Sequence, residues 1–177
     1  MALPSTYADS NCSLARALEI VGERWTLLIV RDAFYGVRRF GDFATQLGIP
    51  RAVLTARLKL LVREGVLSRE ETGGAVDYVL TDKGVALWPI VRSLITWGDD
   101  FYSPAGARRT MTHATDDAPL TADGHCTRCG TLVAVPDICM APGPGYVSTG
   151  EDLDPVSAAL TAPRRLLSPL TPARGES

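Results

Sequence analysis

A mainly α-helical chain with one small β-hairpin is what this sequence predicts, and three observations carry that expectation. Through residue 102, apolar residues recur at helical spacing and glycines punctuate the runs. One stretch alone has the character of paired strands, split by Gly73-Gly74. Beyond Tyr102 the periodicity stops, and nine of the twelve prolines lie from Pro104 onward. The expected architecture is therefore a helical core ending in a long helix, followed by an irregular cysteine-containing tail.

The elements follow in order. Asn11 or Ser13 suits the cap of a first helix in which Leu14, Ala17, Leu18 and Val21 fall at i, i+3, i+4 and i+7, and Gly22 ends it. A second helix, about Arg24 to Tyr35, turns Trp25, Leu28, Ile29 and Ala33 inward and stops at Gly36. A short third, about Arg39 to Leu47, carries Phe40, Phe43, Ala44 and Leu47 and ends at Gly48. Pro50 suits the first turn of a fourth, where its missing N–H is no loss, and that helix runs to about Glu64. Val66 to Glu71 and Val76 to Leu80 read as strands joined through Thr72-Gly73-Gly74-Ala75. Thr81-Asp82 then caps a long helix to about Phe101, with Pro89 in its early turns because a mid-helix proline costs about 3 kcal/mol. This order is a helix-turn-helix followed by a wing.

Composition bounds the alternatives. With 177 residues, 46% apolar, the chain suits one good core plus an appendage. Its best apolar run, Trp25 to Val30, is six residues and far short of the roughly 18 that a membrane span needs. The N-terminus lacks the basic and apolar regions of a secretory signal, so the expected location is the cytoplasm, away from membranes. Four cysteines, three of them clustered late, read as metal-binding or redox-active before they read as a disulfide scaffold. There is no G-x-G-x-x-G, P-loop, G-x-S-x-G or H-E-x-x-H, and the only histidines are His113 and His125, so no enzyme is expected.

A formal charge of −2 hides a local excess. Between Gly36 and Arg63 stand Arg38, Arg39, Arg51, Arg57, Lys59 and Arg63 against Asp42 alone. On a helical wheel Leu54, Leu58 and Leu61 gather on one side of the fourth helix, and Arg51, Thr55, Lys59 and Arg63 on the other, with Ala52 and Ala56 beside them. Such a row is most often a solvated face. Here it lies on the second helix of a tight helix-turn-helix, with Arg69, Thr72 and Gly73 in the hairpin behind it and Arg38 and Arg39 on its flank. Small residues between long cations allow close entry into a major groove about 12 Å wide. The pattern points to double-stranded DNA; the alternative is an interaction module whose cationic face binds an acidic protein partner. The last helix, with Leu87, Trp88, Val91, Leu94, Ile95, Trp97 and Phe101, is apolar over more than the stripe one small core covers. The excess would pack on a second copy or beneath the C-terminal tail.

The blocks Cys12 to Thr26, Arg39-Phe40-Gly41-Asp42-Phe43, Val53 to Leu61, Asp77 to Gly84 and Trp97-Gly98 resemble HxlR-type bacterial transcriptional regulators, in order over residues 10 to 102. The resemblance implies a winged helix-turn-helix homodimer on a pseudo-palindromic operator, a repressor in expectation, answering to a small-molecule or redox effector. It places Arg51, Thr55, Arg57 and Lys59 in the DNA-reading helix and Arg69 in the wing. The expected organisation is a DNA-binding and dimerisation domain over 1–103, a linker over 104–122, a small cysteine-containing knuckle over 123–147 and a flexible tail over 148–177. Two departures stand out: Pro50 replaces the serine that often caps the reading helix, and Ala75 replaces a proline common before the Tyr-x-Leu-Thr block.

The cysteines divide. Cys12, at the start of the first helix, is either a small buried residue or, as in some members of the resembled family, an oxidant sensor. His125-Cys126-Thr127-Arg128-Cys129-Gly130 is half of a zinc ribbon. If Zn2+ is held there, Cys126 and Cys129 are two ligands, Cys139 is the expected third, and His113 or His125 the fourth.

Overall fold

The computed structural model describes residues 7, 11–147 and 153–171. Four helices come first: α1 (Ser13–Val21), α2 (Thr26–Phe34), α3 (Phe40–Leu47) and α4 (Arg51–Arg63). The cap of α1 is Cys12 in extended backbone, with no side-chain cap bond, rather than Asn11 or Ser13. Helix α2 is the axis of the core: Ile29, Val30 and Phe34 are fully buried, with Ala33 beside them. Leu54, Leu58 and Leu61 of α4, at i, i+4 and i+7, close over it together with Phe43 of α3. Pro50 is the N-cap of α4, one position before the expected first turn.

The wing is an antiparallel hairpin of β1 (Leu67–Thr72) and β2 (Ala75–Leu80), paired from Leu67↔Leu80 to Thr72↔Ala75. Gly73 and Gly74 both take positive φ (58° and 77°), which the two-residue turn demands. The chain before α3 extends this sheet, since the Tyr78 amide donates to the Arg38 carbonyl at 2.8 Å and Arg39 bridges Asp77.

The single long helix expected after the wing is two helices, α5 (Asp82–Val85) and α6 (Trp88–Tyr102). Pro89 has no N–H for the Val85 carbonyl and its ring crowds it, so the chain breaks between them. Thr81 caps α5 by accepting from the Gly84 amide at 3.2 Å. At the start of α6 the Trp88 ring meets Phe34, centroids 4.9 Å apart.

The C-terminal third departs most from expectation. The segment 104–122 is not a linker: it contains β3 (Arg109–His113), antiparallel to β4 (Ile138–Pro142), which also pairs with the short β5 (Arg164–Arg165). Nor is the described part of the tail loose. Helix α7 (Pro155–Ala159) is capped by Asp154, whose carboxylate accepts from the amides of Val156 and Ser157, and Val156, Leu160 and Leu166 are buried in the same core as α2. Past β5 the chain straps α2: the Leu167 amide donates to the Phe34 carbonyl at 2.7 Å and the Leu170 amide to Gly36 at 2.8 Å. Residues 148–152 and 172–177 of the expected tail lie outside the described residues. Among the described residues no helix is long and apolar enough to cross a membrane.

Gly36 is where strap and helix touch. Its φ is +91°, and a Cβ there would stand 1.9 Å from the Ser168 carbonyl oxygen. Gly73, at φ +58°, has open space around it. Gly73→Ala therefore costs only the left-handed penalty of about 1–2 kcal/mol, whereas Gly36→Ala adds an overpacking cost of about 1–3 kcal/mol. Urea unfolding of both variants checks the difference; equal losses would mean the strap does not seat on Gly36.

Candidate nucleic-acid interface

The turn from Leu47 to Pro50, with Gly48 at φ +59°, sets α3 against α4 and leaves one face of α4 to solvent. Arg51, Ala52, Ala56, Lys59 and Arg63 are exposed on it, and half-buried Thr55 donates its hydroxyl to the Arg51 carbonyl at 2.8 Å. The Arg51 guanidinium lies over the Phe40 ring, 4.9 Å from its centroid, which steadies it beside the helix N-terminus. The first turn of α4 carries no acidic residue, so its amide dipoles and Arg51 present positive potential together.

The other expected cations have partners. Arg57 turns toward the α1–α2 connection and pairs with Glu23 at 3.5 Å. Arg39 pairs with Asp77 at 3.3 Å, and Arg38 donates to the Leu167 carbonyl at 3.2 Å, on the C-terminal strap. Arg63 pairs with Glu64 at 3.0 Å. In the wing, exposed Arg69 sits 3.5 Å from Glu71, and Thr72 and Gly73 are exposed at the tip.

Helix α6 sorts its apolar residues differently from expectation. Trp88 and Val91 are buried in the chain's own core, and Leu87 and Ile95 pack partly against it, so these four are not a free face. The exposed apolar residues are Ile90, Leu94, Trp97, Phe101 and Tyr102, about half exposed or more. Trp97 contacts both aromatic neighbours, at 5.6 Å to Phe101 and 5.2 Å to Tyr102. Ile90, Leu94, Trp97 and Phe101 fall at i, i+4, i+7 and i+11, so helical spacing alone aligns them as one outward stripe. Leu14 and Leu18 of α1 are exposed as well.

Between α2, α6 and β3 lies a cavity of about 440 Å³, lined among others by Asp32, Tyr35, Leu94, Tyr102, Arg109 and Tyr146. Asp32 is fully buried; its Oδ1 accepts from Arg31 Nε at 2.9 Å and Nη2 at 2.7 Å, and its Oδ2 has no partner among the described residues. Burial pushes the Asp32 carboxyl up against the pull of Arg31, and burial likewise raises the Tyr35 phenol.

All four cysteines are free thiols, and Cys12 is exposed, which removes the buried-residue reading for it. The cluster that forms around the knuckle is His113, Asp116, Cys126 and Cys129, with ligand-type atoms all within 4.8 Å of one another. Cys139 is not part of it. On β4 the neighbours Ile138 and Met140 face the core, so strand alternation turns Cys139 to the opposite side, across from Thr112. His125 pairs with Asp123 at 3.0 Å outside the cluster. Asp116 was missed by sequence reasoning, since a lone carboxylate has no diagnostic spacing. The Cys129 thiol is lowered to about 7, chiefly by the Thr131 hydroxyl at 3.0 Å.

Against known proteins, the HxlR-like helix-turn-helix family matches residues 20–105. An uncharacterized HTH-type transcriptional regulator of Mycobacterium tuberculosis, Rv3095, is 41% identical over 138 residues, 76% of this chain and 87% of its own. The regulator YvaP of Bacillus subtilis is 37% identical over 94 residues, 51% of this chain and 87% of its own. The crystal structure of PA1607, described as a candidate transcription factor, aligns with a TM-score of 0.62 at 32% identity, covering 82% of this chain and 99% of that one. These relatives are transcriptional regulators rather than enzymes, and the fold they share is a winged helix-turn-helix. The chain belongs to the HxlR-like helix-turn-helix family of transcriptional regulators.

Proposed function

We propose that this regulator is a homodimeric repressor that reads a pseudo-palindromic operator with α4 and releases it in response to a small-molecule or redox signal. The observation that carries the reading is the exposed Arg51–Lys59 face of α4, backed by the buried Leu54, Leu58 and Leu61. In such a motif the N-terminal residues of the second helix approach base edges. That gives Arg51, Ala52 and Thr55 the base-reading role and Lys59 a phosphate. Arg69, Thr72 and Gly73 reach the flanking backbone from the wing, while Arg38, Arg39 and Arg57 support the face through their partners. Repression follows from occupancy: a dimer seated on its operator excludes other proteins from it.

Binding to the DNA upstream of its own gene tests this, measured against random duplex as salt is varied. A specific complex should be tighter by roughly 10³-fold or more. Arg51→Ala costs about 1–3 kcal/mol on the operator and flattens base preference. Lys59→Ala weakens all sequences alike and lowers the salt slope by about 1. If the two variants behave identically, the division of roles is wrong; if neither changes binding, α4 is not the reading element.

The dimer is supported by the exposed stripe of α6 and the exposed Leu14 and Leu18 of α1. The C-terminal tail, the competing cover, lies instead over α2 and α3 where it is described: Ser157 donates to Gln46 at 3.0 Å and Leu167 to Phe34. A second copy is therefore the occupant we assign to this face. The double variant Trp97→Glu/Phe101→Glu should sediment as a monomer and lose operator affinity by roughly 10²-fold or more, the avidity of a paired half-site. A stable dimer in that variant would move the interface elsewhere.

For the signal, the Asp32-lined cavity is the place we assign to a small-molecule effector, whose hydrogen-bond donor would meet Asp32 Oδ2. Cys12 is the redox candidate because it is exposed beside the α1 leucines. Diamide, which would oxidise the Cys12 thiols of two copies to a disulfide as its azo group is reduced to a hydrazide, should abolish operator binding by the wild type and spare Cys12→Ser. Equal responses would remove Cys12 from the mechanism.

A further inference from the structure

We propose that His113, Asp116, Cys126 and Cys129 form a closed tetrahedral zinc site that clips the β3–β4 connection onto the body of the regulator. Three edges of the ligand polyhedron are short and similar. Cys126 Sγ lies 3.6 Å from Asp116 Oδ1, Cys129 Sγ 3.7 Å from His113 Nδ1, and His113 Nδ1 3.6 Å from the same Asp116 Oδ1. With Zn–S near 2.3 Å and Zn–N or Zn–O near 2.0–2.2 Å, a tetrahedron has edges of about 3.3–3.8 Å. Those three edges match a tetrahedron, and the remaining pairs lie within 4.8 Å, so small side-chain rotations close the four donors on one point. Two thiolates, an imidazole and a carboxylate suit Zn2+ rather than an oxygen-seeking cation.

Local backbone explains the convergence. His113 ends β3 and Asp116 follows in a tight turn, with the Asp117 amide donating to the His113 carbonyl at 2.8 Å and Asp117 itself at φ +54°. His113 shares the core-facing side of the strand pair with Met111, Ile138 and Met140, so its ring points toward buried Cys126 rather than toward solvent. The Cys126–Cys129 turn has the hydrogen bonds of a metal knuckle: the Gly130 amide donates to the Cys126 carbonyl at 2.9 Å and the Arg128 amide to Cys126 Sγ at 3.4 Å. Arg128 also donates from Nη1 to the Asp116 carbonyl at 2.9 Å, tying one ligand turn to the other. Such outer bonds hold ligands in place and offset the charge of a site with three anionic donors.

The fold has a use for a clip here. Residues 114–137 join β3 to β4 with no helix but a 3-10 turn at Val135–Asp137, well beyond the roughly 12–15 residues of ordinary irregular loops. Its own buried residues are few, Ala118, Gly124, Cys126 and Val133. Buried Arg92 of α6 donates to the carbonyls of Leu120 (3.3 Å), Thr121 and Ala122 (3.2 Å), and Leu120 bridges Cys126. Metal within the loop and Arg92 from the helix would together pin it in place. On binding, Zn2+ takes both sulfurs as thiolates, and the two thiol protons pass to solvent.

The test uses the full chain, purified under a phosphine reductant without chelator, and is independent of any DNA measurement. Elemental analysis should find about one Zn2+ per protomer. Exchange with Co2+ should give the intense d–d bands of a tetrahedral centre with a thiolate-to-metal charge-transfer band. Cys126→Ser, Cys129→Ser and His113→Ala should abolish both signals, and Asp116→Ala should weaken the metal about tenfold or more. Cys139→Ser and His125→Ala should leave stoichiometry and spectrum unchanged. A reduced wild-type protein that carries no zinc and gives no tetrahedral spectrum when titrated with Co2+ overturns the site, whatever the variants do. Loss of metal in Cys139→Ser equal to that in Cys126→Ser overturns the ligand set.

Discussion

Burial of α2 on nearly every side is the constraint from which the rest of the molecule follows. Phe34 is inaccessible, meets Trp88 of α6 with its ring and binds the Leu167 amide with its carbonyl. Burying such a side chain contributes about 1.5–3 kcal/mol, and Ile29 and Val30 on the same helix are equally inaccessible. A helix enclosed in this way has little solvent face for charges, yet half-buried Arg31 and fully buried Asp32 stand in it. They are tolerable because Arg31 donates twice to Asp32 Oδ1 while its own side chain keeps a partly exposed edge. With α2 fixed, α4 can pack only through its leucine stripe, and its opposite face must look outward.

What that outward face presents depends on pairing more than on charge count. Of the cations between Gly36 and Arg63, Arg57 and Arg39 on the flanks and Arg63 at the end of the face pair locally with Glu23, Asp77 and Glu64, and Arg38 is held by the strap. Arg51 and Lys59 are exposed on the face itself. A chain with net charge −2 can thus focus positive potential on one helix, because the acids that balance the total sit elsewhere. The wing is less one-sided, with Glu70 and Glu71 beside Arg69. Affinity for a polyanion would then come mainly from the helix and its N-terminal dipole.

The winged helix-turn-helix was legible in the sequence because its signals are local and redundant. Glycines end the helices, leucines recur at helical spacing, and a Gly-Gly pair marks the hairpin. The C-terminal third was not, because its strands are two to five residues long, interrupted by prolines, and paired across long intervals. A two-residue period needs more length than Arg164–Arg165 to be seen. Its anchors, Val156, Leu160 and Leu166, sit among small and polar residues that read as a loose tail. The metal-type cluster was half legible: the C-x2-C spacing identified Cys126 and Cys129, but choosing between His113 and His125, and rejecting Cys139, requires knowing which way β3 and β4 face.

Helix α6 joins these parts, and its geometry limits how a signal can travel. Around one fifteen-residue rod, Trp88 and Val91 enter the core, Arg92 holds the loop at residues 120–122, and Ile90, Leu94, Trp97 and Phe101 face outward. The cavity beside Asp32 reaches the same rod at Leu94, Ile95, Gly98 and Tyr102. A helix moves as a body, so a tilt imposed at the cavity would also be felt at the outer stripe and at the Arg92 clamp. In a dimer joined by that stripe, the tilt changes the separation of the two α4 helices, which must match half-sites about one turn of DNA apart. A ligand can drive such a change only by as much as it prefers one tilt over the other. Asp32, buried with one carboxylate oxygen unpartnered among the described residues, is where that preference would be strongest, because a new hydrogen bond there would replace none that they make.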